Sequence, residues 1–107
     1  MELPKLIERF VATQNNFDSK AFVECFMDTA IVHDEGKTYT GKEEIRQWIE
    51  DANEKYQTVT KPLNYEEVGS EGTLTAEVSG TFTGSPIVLQ FHLGLKNNLI
   101  DSFRVTG

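Results

Sequence analysis

The chain has 107 residues, of which 38% are hydrophobic and 25% are charged, a composition typical of a globular protein and not of a disordered segment. A length of this order supports one hydrophobic core, so we expect a single domain over residues 1–107. Acidic residues outnumber basic ones by 17 to 10, and the net charge is −7. Such a surface repels phosphate backbones and anionic lipids, so neither nucleic acid nor a membrane is an expected partner. The only cysteine, Cys25, excludes an internal disulfide and a cysteine-cluster zinc site.

Two helices are predicted at the start of the chain. The first has apolar residues at helical spacing, with Pro4 in its first turn: Leu3, Leu6, Ile7, Phe10 and Val11. Asp18 is suited to the N-cap of a second, short helix, and Phe17 and Phe22 have the spacing of a hydrophobic staple.

A short extended run, Ala30–Asp34, and a loop containing Gly36 are predicted to lead into a third helix. Thr40 and Glu43 have the spacing of a capping box at its start. The apolar face of this helix carries five residues: Ile45, Trp48, Ile49, Ala52 and Tyr56.

From Thr58 onward the sequence predicts strands and turns. Apolar and polar residues alternate along 73–82 and 87–95, which is typical of strands with one buried face. Asn97 and Asn98 are suited to a two-residue hairpin turn before a last strand over 99–105. Helices followed by a four-stranded antiparallel meander predict an α+β fold, with the helices on one face of the sheet.

Two segments carry a resemblance to a known family: the strand Phe26-Met27-Asp28-Thr29-Ala30-Ile31-Val32-His33-Asp34 and the helix start Gly41-Lys42-Glu43-Glu44-Ile45-Arg46-Gln47-Trp48. In this order they resemble the nuclear transport factor 2-like superfamily, in its SnoaL-like and ketosteroid isomerase branch. The resemblance covers essentially the whole chain. It implies a cone-shaped barrel, formed by a curved, mostly antiparallel sheet packed against three N-terminal helices. It also implies an apolar pocket for a small molecule and a homodimer formed through the outer sheet face.

Ketosteroid isomerase needs a carboxylate base, a tyrosine donor and a protonated aspartic acid donor. By resemblance, the base position is Asp34, whereas the two donor positions are Phe10 and Phe91. Because proton abstraction next to a carbonyl requires stabilisation of the oxyanion, steroid isomerisation is not expected here.

Asp34 is the candidate catalytic residue, since a carboxyl group pointing into an apolar pocket would have a raised pKa and could act as a general base. The alternative is a strand-end carboxylate that accepts backbone hydrogen bonds. Seven residues are candidates for the pocket wall, with plain core packing as the alternative: Phe10, Trp48, Tyr56, Phe82, Phe91, Leu93 and Phe103. Tyr39, Trp48 and Tyr56 are the aromatic residues that could donate a hydrogen bond to a substrate.

His33 neighbours Asp34, but adjacent side chains on a regular strand point to opposite faces, so the two are not expected to share a substrate. His92 is expected to make a polar contact on the outer sheet face. The histidines and acidic residues have no metal-ligand spacing, and no metal or cofactor is expected.

Two functions remain open. The first is binding of a small, mostly apolar molecule by a homodimer, with Val88 and Ile100 as exposed apolar residues on the outer sheet face. The second is an isomerase, lyase or cyclase that acts on a carbonyl-containing substrate with Asp34 as general base. The first residues show no signal-peptide pattern, so a cytoplasmic location is expected.

Overall fold

This computed structural model describes residues 2–107 of the chain. Within this range there are three helices and six strands. The elements are, in chain order, α1 (Lys5–Asn15), α2 (Ser19–Val23), β1 (Phe26–Asp34), β2 (Lys37–Thr40), α3 (Gly41–Tyr56), β3 (Val59–Val68), β4 (Glu71–Ser79), β5 (Ile87–Lys96) and β6 (Leu99–Thr106).

The strands form one sheet in the order β2-β1-β6-β5-β4-β3. Strands β3 to β6 pair antiparallel with their chain neighbours, as the sequence predicts, and β1 and β6 are the one parallel pair among residues 2–107. The predicted α+β class is confirmed. The sheet is curved but does not close into a complete barrel, because β2 and β3 each have a free edge.

The core lies between the helices and the inner face of the sheet, and aromatic rings fill its centre. Phe10 of α1 packs against four other rings at centroid distances of 5.3–6.3 Å. These rings belong to Phe22 of α2 and to Phe26, Phe91 and Phe103 of the sheet. All five are buried, so residues far apart in the sequence meet at one point.

The segment before α3 is more regular than the sequence predicts. Strand β1 begins at Phe26 rather than at Ala30, and its register shifts between Phe26 and Ile31. The predicted Gly36 loop is a tight turn between β1 and the additional strand β2. Glu35 and Gly36 both have positive φ, at 52° and 76°, which is the conformation of a two-residue hairpin turn.

The helix starts differ in detail from the predictions. Leu3 precedes α1, which begins at Lys5 with Pro4 in the N-cap position. The Asp18 cap is confirmed by its hydrogen bond from the Ala21 backbone N–H. The prediction of a hydrophobic staple is wrong, because Phe17 is 46% exposed, whereas Phe22, its predicted partner, is buried in the core.

The prediction of a capping box between Thr40 and Glu43 at the start of α3 is wrong. The Thr40 side chain makes no cap hydrogen bond. Instead, the Thr40 backbone N–H donates to Glu44 Oε1 at 2.9 Å, so the residue after Glu43 provides the returning contact.

The predicted strand over 73–82 ends at Ser79, and the next residues form a loop that holds the end of α3. The Thr81 backbone N–H donates to the Tyr56 carbonyl at 2.7 Å, and the Thr81 hydroxyl donates to the Lys55 carbonyl at 3.1 Å. A Cβ on Gly80 would collide with the Tyr56 carbonyl, so this close approach needs glycine. The loop thereby places Phe82 edge-on against Tyr56, at a centroid distance of 6.2 Å.

The outer face of the sheet is mostly polar. Val88 is 53% exposed there, as predicted, whereas the prediction for Ile100 is wrong because its side chain is fully buried in the core. Within residues 2–107, no helix has the length and apolar character needed to cross a membrane.

Candidate functional site

A cavity of about 330 Å³ lies between the three helices and the inner face of the sheet. Its wall is largely aromatic and aliphatic: Phe10, Gln14, Phe22, Asp34, Glu35, Trp48, Ile49, Ala52, Tyr56, Thr58, Val78, Phe82, Ile87, Leu89, Phe91, Phe103 and Val105. The lining residues of α1 and α2 are buried, as are Phe91 and Phe103 of the central strands, while Glu35 and Ile87 are exposed. The cavity therefore opens near the β1–β2 turn and the start of β5.

Asp34 ends β1 on the inner face and meets the middle of α3. The Trp48 indole N–H donates to Asp34 Oδ2 at 3.0 Å. Removal of water by the surrounding apolar side chains raises the pKa of the Asp34 carboxyl above its ordinary value, and the charge of Glu35 acts in the same direction. The hydrogen bond from Trp48 opposes this rise. Asp34 is thus a half-buried acid on the wall of an apolar cavity.

An Asp34→Asn variant is expected to melt at a higher temperature than the wild type at neutral pH. The raised pKa means that the folded state holds this proton more tightly than the unfolded state, so the contribution of Asp34 to wild-type stability falls as pH rises from about 3.8 through the folded-state pKa. Asparagine avoids this penalty and still offers Trp48 a carbonyl acceptor.

Melting curves of both proteins between about pH 4 and pH 8 measure this effect. The difference in Tm should be largest at the alkaline end and should shrink as the pH approaches 3.8, the ordinary value of the carboxyl. A difference that is independent of pH would show that burial of Asp34 is not its cause.

Six of the seven residues proposed for the pocket wall line this cavity. Phe10, Trp48, Tyr56, Phe82, Phe91 and Phe103 are among its lining residues. Leu93 is not among them, and its side chain is buried in the core. The ring of Tyr39 packs against that of Trp48 at a centroid distance of 6.0 Å, but Tyr39 does not line the cavity.

Three polar lining residues were not anticipated from the sequence: Gln14, Glu35 and Thr58. Gln14 lies one turn after Phe10 on the same face of α1, and that spacing is the one signal that could have found it. Glu35 turns toward the cavity mouth through its positive φ and accepts a hydrogen bond from the Tyr56 hydroxyl at 3.2 Å.

The two histidines lie on the opposite face of the sheet. His33 faces the Thr38 hydroxyl at 3.3 Å, and His92 shares a 2.7 Å hydrogen bond with the Thr106 hydroxyl. Neither lines the Asp34 cavity. Among residues 2–107, no cluster of three or more histidine, cysteine or acidic side chains is placed to hold a metal ion.

This arrangement of helices, curved sheet and apolar cavity is the nuclear transport factor 2-like fold in its ketosteroid isomerase-like form. The chain belongs to the SnoaL-like domain family, whose model matches residues 7–105. A search of curated protein sequences finds no match.

Solved structures show the same fold. A candidate polyketide cyclase from Sinorhizobium meliloti is 29% identical, with a TM-score of 0.93 over 97% of this chain and 95% of that one. A protein from Catenulispora acidiphila with a ketosteroid isomerase-like fold, in complex with trimethylamine, is 18% identical, with a TM-score of 0.88 over 99% and 87% of the two chains. The epoxide hydrolase/cyclase-like enzyme SalBIII, of pyran ring formation in the polyether salinomycin, is 21% identical, with a TM-score of 0.81 over 94% and 86%.

Proposed function

We propose that this protein binds a small, mostly apolar molecule in the cavity beside Asp34. The observation that carries the proposal is a cavity of about 330 Å³ with an aromatic wall and an opening to solvent. A space of this size matches the lower range of small-molecule sites, which are mostly apolar with a few polar groups that orient the ligand. Asp34, Gln14 and Thr58 are polar groups of this kind.

Filling part of the cavity is expected to weaken binding. Ala52 lies on the cavity wall in α3, so Ala52→Leu adds three carbons to the space that a ligand would occupy. We expect the affinity for 4-tert-butylcyclohexanone, a compact apolar ketone, to fall about five- to 150-fold, if the cost of overlap is the about 1–3 kcal/mol that is typical of overpacking. Trp48 is the only tryptophan of the chain and lines the cavity, so its fluorescence reports on binding.

The matched control is Ala12→Leu, the same substitution on the exposed face of α1. It should leave the titration unchanged. Equal affinities in wild type and Ala52→Leu, or no binding to the wild type, would contradict the proposal.

A second candidate function, general-base catalysis, is favoured by the environment of Asp34. A carboxyl group whose pKa is raised by desolvation is a suitable base near neutral pH. The resemblance to a candidate polyketide cyclase at 29% identity supports this alternative. We propose proton abstraction from a carbonyl-containing substrate as the reaction, in an isomerase, lyase or cyclase.

We further propose a cytoplasmic protein that forms a homodimer through the outer sheet face. Val88→Lys places a charge on the face that would be buried between copies. We expect this variant to shift the mass measured by light scattering from dimer to monomer. Phe17→Lys changes a similarly exposed apolar residue on the helix side and should leave the mass unchanged. A monomeric wild type, or a dimer in both variants, would count against this interface.

A further inference from the structure

Gln14 places a buried polar side chain in a cavity wall that is largely apolar. It is 8% exposed and lies at the end of α1, next to the start of β3. Its Nε2 donates to Thr58 Oγ1 at 3.1 Å, and its Oε1 accepts from Thr60 Oγ1 at 2.7 Å. The side-chain amide is therefore held at both of its polar atoms.

A second pair of hydrogen bonds holds Thr60, the residue that orients Gln14. Asn15 Oδ1 accepts from the Thr60 backbone N–H at 2.8 Å, and Asn15 Nδ2 donates to the Thr60 carbonyl at 2.9 Å. These bonds join the end of α1 to β3 in the way a neighbouring strand would. Thr60 is thereby fixed, and its buried hydroxyl keeps the Gln14 oxygen turned toward it.

This arrangement leaves two hydrogen-bond donors at the cavity wall. An amide NH₂ group has two protons, and Thr58 takes only one of those on Gln14. Within residues 2–107, Gln14 Nε2 donates no second hydrogen bond. The Thr58 hydroxyl likewise donates none to another residue of this part of the chain. Both residues line the cavity, so both donors are available to a ligand oxygen.

These donors and Asp34 belong to parts of the cavity wall that three strands separate in the sheet order. Asp34 ends β1, whereas Gln14 and Thr58 lie beside β3, and the sheet order places β6, β5 and β4 between those two strands. The lining residues from the intervening strands are apolar: Val78, Ile87, Leu89, Phe91, Phe103 and Val105. A ligand that reaches both sides is polar at its two ends and apolar between them.

We propose that Gln14 and Thr58 form a specificity site for a hydrogen-bond-accepting oxygen, such as a carbonyl, at the end of the ligand remote from Asp34. This inference rests on the proposed binding function and names the chemistry of the ligand. Asp34 meets the other end of the molecule. The apolar strands between the two sites set the distance between the ligand's polar groups.

The test compares 4-tert-butylcyclohexanone with tert-butylcyclohexane, which has the same shape without the oxygen. The quantity measured is the ratio of their dissociation constants, from Trp48 fluorescence. Gln14→Met keeps the side-chain volume and removes the donor, so the preference for the ketone should fall about three- to tenfold relative to wild type. Thr58→Val removes the second donor and the acceptor that holds Gln14 Nε2, leaves the Gln14–Thr60 bond in place and should act in the same direction.

Gln47→Met is the matched control, because Gln47 is exposed on α3 and bonds to Asp51. The Gln14 side-chain amide signal, assigned by its loss in Gln14→Met, should shift with the ketone and much less with the hydrocarbon. If both ligands bind and the ratio is the same in all four proteins, the specificity site is overturned while the binding function stands. If neither ligand binds to the wild type, both proposals fail.

Discussion

A Phe10→Ala variant is expected to lose about 3–5 kcal/mol of unfolding free energy, a large part of the stability of a domain of this size. Phe10 is buried and its ring packs against four others, from Phe22, Phe26, Phe91 and Phe103. Removal of the ring takes away these contacts and enlarges a space that already adjoins the cavity. Urea unfolding followed by circular dichroism measures the loss.

Phe17→Ala is the control, because it makes the same substitution at a side chain that is 46% exposed. It should change the unfolding free energy by no more than about 0.5 kcal/mol. Similar losses in the two variants would show that the aromatic cluster around Phe10 is not the centre of the core.

An Asp34→Asn variant is expected to lower the rate of base-catalysed proton exchange by about 10²–10⁴-fold, the usual contribution of a positioned general base. Isophorone is a suitable probe, because this cyclic enone has exchangeable protons on the ring carbon opposite its carbonyl. Its oxygen can then face Gln14 while the exchanging carbon faces Asp34. Loss of the proton signal in heavy water, followed by NMR, measures the protein-catalysed rate.

Asp51→Asn is the matched control, since Asp51 is an exposed carboxylate on α3 that bonds to Gln47. Its exchange rate should equal that of the wild type. Asparagine keeps the acceptor for Trp48 but cannot take a proton, so the comparison isolates the base from the hydrogen bond. Equal rates in wild type and Asp34→Asn would exclude Asp34 as the base and leave ligand binding as the function.

Local signals in the sequence predicted most of the elements, and their failures have identifiable causes. The helical spacing of Ile45, Trp48 and Ile49 predicted α3, and Asn97–Asn98 predicted the last hairpin turn, because in both cases neighbouring residues determine the structure. Strand β2 was missed because four residues carry little periodicity, and Glu35 is an unusual residue in a turn that needs positive φ. Phe17 was assigned to a staple by spacing alone, but its positive φ of 54° and its 46% exposure show that it lies outside the core.

In the candidate site, too, some features were predictable from local sequence signals and others were not. Most of the aromatic wall was predictable, because five of the six residues lie on apolar faces of helices and strands that packing turns inward, whereas Phe82 is placed by the loop after β4. Leu93 has the same alternation as Phe91, and only its neighbours in three dimensions decide that it packs in the core. Thr58 carries no signature in the sequence and Gln14 has only its helical spacing from Phe10, since their roles depend on hydrogen bonds between the end of α1 and residues 58 and 60, more than forty positions away.

By itself, the sequence determined the fold class, the meander and the position of Asp34 at the end of a strand. These features follow from hydrophobic periodicity, turn residues and the order of elements, which are local properties of the chain. The tertiary structure alone decided that Trp48 binds Asp34, that the sheet stays open, and that Gln14 and Thr58 line the cavity. The physical reason is that a raised pKa or an oriented amide depends on burial and on partners brought together from distant parts of the chain.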